Sequence, residues 1–313
     1  MTRPRVAVLG IFAADVVSRV ERLPLWHETL LGLGASLGPG GKGSNQAVAA
    51  ARLGAEVSFI AKIGADPFGA LARDLYAAEG IDTAHLHVDP EAPTGVALIL
   101  VGQEGDNAIV VNPGAAARLT AAELDATAPA IRRAGAFLTQ LELPVPLAAH
   151  AIAAARRAGV PVIFNPAPAV PFDRALLAAV DVLTPNETEA AALAGFPIVD
   201  IESARRAASA LRGEGVATVI ITLGERGAFL LDAEGEVDVP AVPVPRVVDS
   251  TGAGDAFNGA LAVALAERRS MRQAVEFASA AAALSVQSAG AAPSMPARVA
   301  VEALLKRASG GGR

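Results

Sequence analysis

The chain has 313 residues, is 52% hydrophobic, carries a formal net charge of −6 and contains no cysteine. That length suits a large α/β domain with a smaller appendage, and the apolar content allows a large buried core. The acidic balance and the lack of a basic run argue against a nucleic-acid partner, and the missing cysteines exclude disulfides and thiolate zinc sites, as fits a cytoplasmic protein.

The N-terminus, Met1 to Arg5, leads into only five apolar-type residues, too few for the core of a signal peptide. Every apolar stretch is broken by Gly, Pro or charge well before about 18 residues, so no membrane span is expected. Residues 6–10 read as a buried strand ending in glycine, and 44–53 as a helix closed by Gly54. Residues 57–63 read as a strand, and 68–78 as a helix closed by Gly80. Short β-prone runs follow at 137–139, 160–165, 182–184, 218–223 and 244–248, with helices such as 146–158 and 201–212 between them. Strands alternating with helices predict a parallel sheet covered on both faces. Two segments break the rhythm. Residues 12–38 alternate polar and apolar around Pro24, and 94–111 read as two strands around the turn 102–107. Both predict antiparallel strands outside the main sheet, forming a small lid. The large domain then comprises 1–11, 39–93 and 112–313, and the lid 12–38 and 94–111. The Gly-rich tail at 309–313 is expected to be disordered.

Ligands of an open parallel sheet bind beyond the carboxyl ends of its strands. Asp15 follows the first strand, Asn165 ends 160–165, and Asn186 and Glu189 follow 182–184. Thr222 and Gly224 end 218–223, and Asp255 follows 244–248. One polar strand end is usually a cap or turn; five on one side are better explained by a site. Asp249-Ser250-Thr251-Gly252-Ala253-Gly254-Asp255 runs into an apolar helix-like segment from Ala256. Small residues before a helix start leave backbone N–H groups free for an anion. Asp255 there is either a helix-favouring acid or a base beside a bound phosphate.

Pro39-Gly40-Gly41-Lys42-Gly43-Ser44-Asn45-Gln46 is a second Gly-rich stretch. It reads either as a loop on a polyhydroxylated ligand, with Asn45 donating and accepting, or as a helix entry with Ser44 as cap. It is no Walker A loop, because Gly43 follows Lys42 where Ser or Thr is needed. Gly10 lacks the remainder of a dinucleotide-binding turn, and protein-kinase motifs are absent. His27, His85, His87 and His150 lack metal-ligand spacing and read as surface or turn residues; His85 and His87 share a strand face.

Taken together, residues 40–47, 64–69, 165–168, 184–189 and 249–257 resemble the ribokinase-like (PfkB-type) sugar-kinase family, in order and spacing from about residue 5 to 296. The resemblance implies a three-layer αβα sandwich with a mostly parallel central sheet and a β-sheet lid that also makes a dimer contact. It implies ATP-dependent phosphorylation of a sugar, D-ribose at its 5-hydroxyl. Asp255 then matches the base, and Gly252, Ala253 and Gly254 the anion hole. Asp15, Gly41, Lys42, Gly43, Asn45 and Glu142 match sugar contacts. Asn186, Thr222, Leu223, Gly224, Gly227, Gly254 and Ser279 match the nucleotide side. Asp249, Thr251, Ser285, Ser288, Gly290 and Ser294 match a monovalent-cation site, usually for K⁺, and Mg²⁺ accompanies ATP. Two positions depart from the family pattern. Ala13 stands where asparagine is usual among the sugar contacts, which makes 2-deoxyribose, another sugar or a nucleoside plausible. Ser279 stands where histidine is common near the base. A non-catalytic sugar sensor on the same fold is disfavoured by the intact 252–255 run.

Overall fold

The central strands of this protein are buried on both faces, and successive side chains divide its interior into two cores. The computed structural model describes residues 3–103 and 106–310. Among them, thirteen strands and ten α-helices are numbered in chain order. The first strands are β1 (Arg5–Leu9), β2 (Ala13–Arg19), β3 (Gly34–Gly40), β4 (Glu56–Gly64) and β5 (Asp82–Asp89). Next come β6 (Gly95–Val101), β7 (Asn107–Asn112), β8 (Ala136–Thr139) and β9 (Val162–Phe164). The last are β10 (Val182–Leu183), β11 (Thr218–Thr222), β12 (Ala228–Leu231) and β13 (Glu236–Val239).

Nine strands form one sheet in the order β13-β12-β11-β10-β9-β8-β1-β4-β5. Pairing is parallel from β5 through β11, and the edge strands β12 and β13 are antiparallel. The chain leaves β1 toward β4 and β5, then returns to build β8 to β11 on the other side. The order therefore reverses between β1 and β8, where the crevice of an open α/β sheet lies.

Alternate residues face opposite layers. Val6, Val8, Phe59, Leu138 and Ile220 join one core, which includes α1 (Lys42–Arg52), α2 (Pro67–Glu79), α8 (Ala253–Ala266), α9 (Met271–Ser285) and α10 (Arg298–Gly310). Ala7, Leu9, Phe137, Phe164 and Ile221 join the other, which includes α3 (Ala121–Ala126), α4 (Ala128–Arg133), α5 (Val145–Arg157), α6 (Glu187–Ala194) and α7 (Ile201–Gly213). Helix α8 is buried on every side from Asp255 to Ala264, as expected for a helix apolar all round. It crosses α1 so closely that a Cβ on Gly259 would lie 2.6 Å from Ala49 Cβ and 2.6 Å from the Gln46 carbonyl oxygen.

The remaining strands form a separate sheet, β3-β2-β6-β7. Expected to be antiparallel throughout, it is antiparallel within each ribbon but parallel where β2 meets β6. One face and the 20–33 segment leave large apolar side chains in solvent, among them Trp26 at 95% and Leu31 at 86% exposure.

Two further expectations are corrected. Residues 244–248 are no strand: Pro240, Pro243 and Pro245 lack the N–H groups that a ladder needs, and the stretch stays irregular. Ser44 is no cap, because α1 starts two residues earlier, from Gly41 with φ 90°. Its hydroxyl is buried and accepts from the Tyr76 hydroxyl at 2.9 Å. Asp15 lies in β2 of the small sheet, within the segment expected to form the lid. Of the tail expected to be disordered, 311–313 lie outside the described residues, and α10 runs to Gly310. Residues 104 and 105 of the turn at 102–107 also lie outside them.

Candidate active site

Where the strand order reverses, four segments converge: the loop after β1, the start of α1, the residues after β8 and the first turn of α8. The start of α1 is fitted tightly to the loop. A Cβ on Gly41 would lie 2.6 Å from the Ile11 carbonyl oxygen, and one on Gly43 2.6 Å from Gly10 Cα. Glycine at these positions lets the helix begin against the backbone and point its first side chains across the crevice. Lys42 N donates to Glu142 at 2.7 Å. Gly40 makes room for Asp15, whose carboxylate carbon would sit 2.2 Å from a Cβ there.

Asp255 is the third residue of α8 and is 6% exposed. Its Oδ2 accepts from Asn45 Nδ2 at 2.9 Å, and its Oδ1 from Gln46 Nε2 at 3.0 Å. Asn45 Oδ1 is buried with no partner, so a hydrogen-bond donor is missing beside Asp255. Burial lifts Asp255 above the usual carboxylate range, while Lys42 and the two amides pull it back. Asp15 is pushed up to about 6 by burial and then by the charge of Asp255. Glu142 rises to about 7 through burial, opposed by Lys42 and reinforced by Asp255. Burial pushes Lys42 down, but Asp255, Glu142 and Glu189 outweigh it and its pKa is raised. Several acids around one lysine form a pocket rich in acceptors, suited to a ligand that brings many hydroxyl donors.

The first turn of α8 faces outward. Gly252 adopts φ 79° as the N-cap, and the Ala253 N–H turns back to Ser250 O at 3.2 Å. Among the described residues the N–H groups of Gly254 and Asp255 find no acceptor. A Cβ on Gly254 would meet nothing within 4 Å. Free amides at a helix start with open space in front can receive an anion.

Other expected residues fall into two further groups. Asn186 caps α6, its Oδ1 accepting from Glu189 N at 2.9 Å, and it bridges to Thr222 at the end of β11. Leu223 N donates to Gly227 O at 2.8 Å around a short 3₁₀ turn, and Gly224, like Gly254, faces open space. Gly227 has φ 97°, and a Cβ there would strike the Val239 carbonyl oxygen at 2.1 Å. Ser279 is buried within α9, 8% exposed. In the second group, Asp249 accepts from Thr251 N and Gly290 N, each at 2.9 Å, and so ties the loop before α8 to the segment after α9. Ser288 N donates to Ser285 O at 3.2 Å, while the Ser285 and Ser294 hydroxyls donate to Ala282 O and Ala291 O. Ala13 is buried in apolar surroundings with no amide at its position. Among the described residues no three His, Cys, Asp or Glu side chains gather as a metal centre, and no helix is long and apolar enough to cross a membrane.

Sequence reading assigned no role to Gln46, Gln140, Thr184 and Asn258, although all four are buried polar groups linked to the site. Gln46 and Gln140 stood beside expected contacts, and a polar residue inside an apolar strand end was the available signal.

Known proteins resemble this chain over nearly its whole length. The model of the pfkB family carbohydrate kinases matches residues 3–298. A ribokinase of Haemophilus influenzae is 41% identical over 296 residues, spanning 95% of this chain and 96% of that protein. A deoxyribokinase of Salmonella typhi is 35% identical over 292 residues, spanning 93% and 95%. The structure of Arabidopsis thaliana ribokinase complexed with ribose and ATP superposes with a TM-score of 0.90 at 34% identity, covering 97% of this chain and 99% of that one. With a fold and sequence shared over nearly its whole length, the chain belongs to the pfkB family of carbohydrate kinases.

Proposed function

We propose that the protein phosphorylates D-ribose at its 5-hydroxyl with ATP. The observation that carries this reading is a buried, amide-held Asp255 beside the free N–H groups of a helix start. A sugar alcohol is a weak nucleophile at neutral pH. Asp255 takes its proton as the bond to phosphorus forms. The backbone of Gly252, Ala253 and Gly254 forms the anion hole, its free N–H groups at Gly254 and Asp255 stabilising the charge on the transferring phosphoryl group. Asp15, Gly41, Lys42, Gly43, Asn45 and Glu142 orient the sugar, and the orphaned Asn45 Oδ1 accepts from one of its hydroxyls. The acceptor 2.9 Å from Asn45 Nδ2 is Asp255 itself, so sugar and base share one amide.

On the nucleotide side, Asn186, Thr222, Leu223, Gly224, Gly227 and Ser279 receive ATP; open space before Gly224 and Gly254 fits phosphate and base approaching the backbone. Mg²⁺ would neutralise phosphate charge while held mostly by phosphates and water. Asp249, Thr251, Ser285, Ser288, Gly290 and Ser294 offer oxygen donors with one carboxylate among them, which suits a hard cation of low charge such as K⁺. Its site ties down the loop before α8 without touching substrate. The small sheet, with bounds 12–38 and 94–111, acts as a lid that excludes water, and its exposed apolar side chains are the contact of a homodimer. The place of action is the cytoplasm, where ATP is supplied.

A second reading, 2-deoxyribose as the preferred sugar, is favoured by one observation. Ala13 is buried without a polar partner, so an amide that could meet a sugar hydroxyl is missing. Assay of ADP release over a panel of sugars separates the readings, with Asp255→Asn and Ala13→Asn alongside the native chain. Ribose-dependent turnover that Asp255→Asn abolishes supports the first. A higher kcat/KM for deoxyribose, reversed by Ala13→Asn, replaces it with the second.

A further inference from the structure

The amides beside Asp255 form a chain with a fixed direction. The Thr184 carbonyl can only accept, so Asn165 must turn its Nδ2 toward it, at 2.9 Å. Asn165 Oδ1 therefore faces Gln46 and accepts from its Nε2 at 3.2 Å. The same Nε2 donates to Asp255 Oδ1 at 3.0 Å. Gln46 Oε1 is left to accept from Gln140 Nε2. Gln46, Gln140, Asn165 and Thr184 are all buried, so water does not compete for these bonds. One backbone carbonyl thus orients three side-chain amides. A branch leads from the same threonine to the other side of the site. Thr184 Oγ1 donates to Asn258 Oδ1 at 2.6 Å, and Asn258 Nδ2 donates to Gly254 O at 2.8 Å. The carboxylate of Asp255 and the first turn of α8 are anchored to one residue.

We propose that Gln46 is a positioning residue for phosphoryl transfer, holding Asp255 Oδ1 as a permanent acceptor so that the substrate proton is taken by Oδ2. This rests on Asp255 serving as the base. Oδ1 is occupied from the protein side by an amide that cannot turn round without breaking its bonds to Asn165 and Gln140. Oδ2 receives one bond, from Asn45, and keeps a lone pair on the side where Asn45 Oδ1 lacks a partner. In the step, the O–H bond of the sugar hydroxyl breaks and its proton passes to Oδ2. The electron pair released forms the new O–P bond. The bond from the γ-phosphorus to its bridging oxygen breaks, and that pair leaves with ADP. The proton is returned to solvent after product release.

The charges facing Asp255 are Lys42 from α1, Asp15 from β2, Glu142 after β8 and Glu189 from α6. They set the baseline of its titration and are unchanged by substitution at Gln46. A purely structural Gln46 would alter stability and leave that titration in place. The test is kcat against pH at saturating ribose and ATP for Gln46→Met and Gln46→Glu, with melting temperatures on the same samples and Asp255→Asn alongside. Removing the donor disfavours the carboxylate, so Asp255 takes its proton at higher pH. The acid limb for Gln46→Met therefore moves up by about one pH unit, the size of a lost hydrogen bond to a charged acceptor. Its KM for ribose changes less than kcat. Gln46→Glu keeps the shape, moves the limb in the same direction, and carries the same readout if the methionine variant does not fold. An unmoved limb in a folded Gln46 variant, with Asp255→Asn inactive, overturns this inference alone. Native turnover in Asp255→Asn overturns the assignment of the base as well.

Discussion

Replacing Gly259 with alanine tests whether the crossing of α1 and α8 sets the site. The added Cβ would lie 2.6 Å from Ala49 Cβ, 2.6 Å from the Gln46 carbonyl oxygen and 3.1 Å from Ala50 N. Ordinary contact between such atoms begins near about 3.5 Å, so the helices must part by roughly 1 Å. α1 carries Asn45 and Gln46, and α8 carries Asp255. Parting stretches the bonds of 2.9 and 3.0 Å between them beyond hydrogen-bonding range. Overpacking of this kind costs about 1–3 kcal/mol. A reacting group displaced by about 1 Å loses on the order of 100-fold in rate. The expected result is a melting temperature lower by several degrees and a kcat for ribose-dependent ADP release about 100-fold lower. Adding Ala49→Gly removes one of the clashes and leaves the Gln46 carbonyl in place, so recovery is partial. Native turnover and native melting temperature in Gly259→Ala would refute the reasoning.

Three other outcomes are expected. Gly254→Ala meets no described atom outside its own helix turn within 4 Å and gains up to about 1 kcal/mol of helix propensity, so its melting temperature rises. Its turnover falls by about 100-fold as the methyl enters the phosphoryl space, and full turnover would remove Gly254 from the anion hole. Asp15 binds its proton more tightly folded, with a pKa of about 6, than unfolded near 3.8, so its ionisation costs stability that grows as pH rises between those values. Asp15→Asn therefore raises the melting temperature at about pH 8, gains nothing near about pH 4, and raises KM for ribose; a gain equal at both pH values contradicts the assignment. The native chain should sediment as a dimer and Trp26→Ser with Leu31→Ser as a monomer; identical sedimentation of the two would contradict the lid contact.

The alternation of strand and helix was legible because the buried runs are short, β-branched and separated by glycine-closed helices. The 252–255 run was legible because small residues before an apolar helix have few other uses. Residues 244–248 misled because Val247 and Val248 suggest a strand, while the prolines that forbid the ladder stand before them. Strand β5 was glimpsed only through the shared face of His85 and His87, which interrupt its apolar pattern at the sheet edge. The amide chain was beyond reach for a different reason. Its bonds join residues 94, 119 and 209 positions apart, and local pattern carries no record of such pairings. The capping of α6 by Asn186 shows the converse: Asn186 and Glu189 stand three positions apart, and their reciprocal bonds are local enough to be read from the sequence.

The parallel pairing of β2 with β6 has a consequence for how the chain folds. These strands come from two excursions whose paired residues are roughly eighty positions apart, and closing a loop of that length costs entropy before any contact rewards it. Each excursion alone offers only a two-stranded ribbon, which is marginal in water. The seam between the ribbons can close only after β1, β4 and β5 have brought their roots together. In refolding, amide protection should therefore appear in β1 and β4 before β2 and β6, and the unpaired edges of the two ribbons stay open to aggregation during that interval.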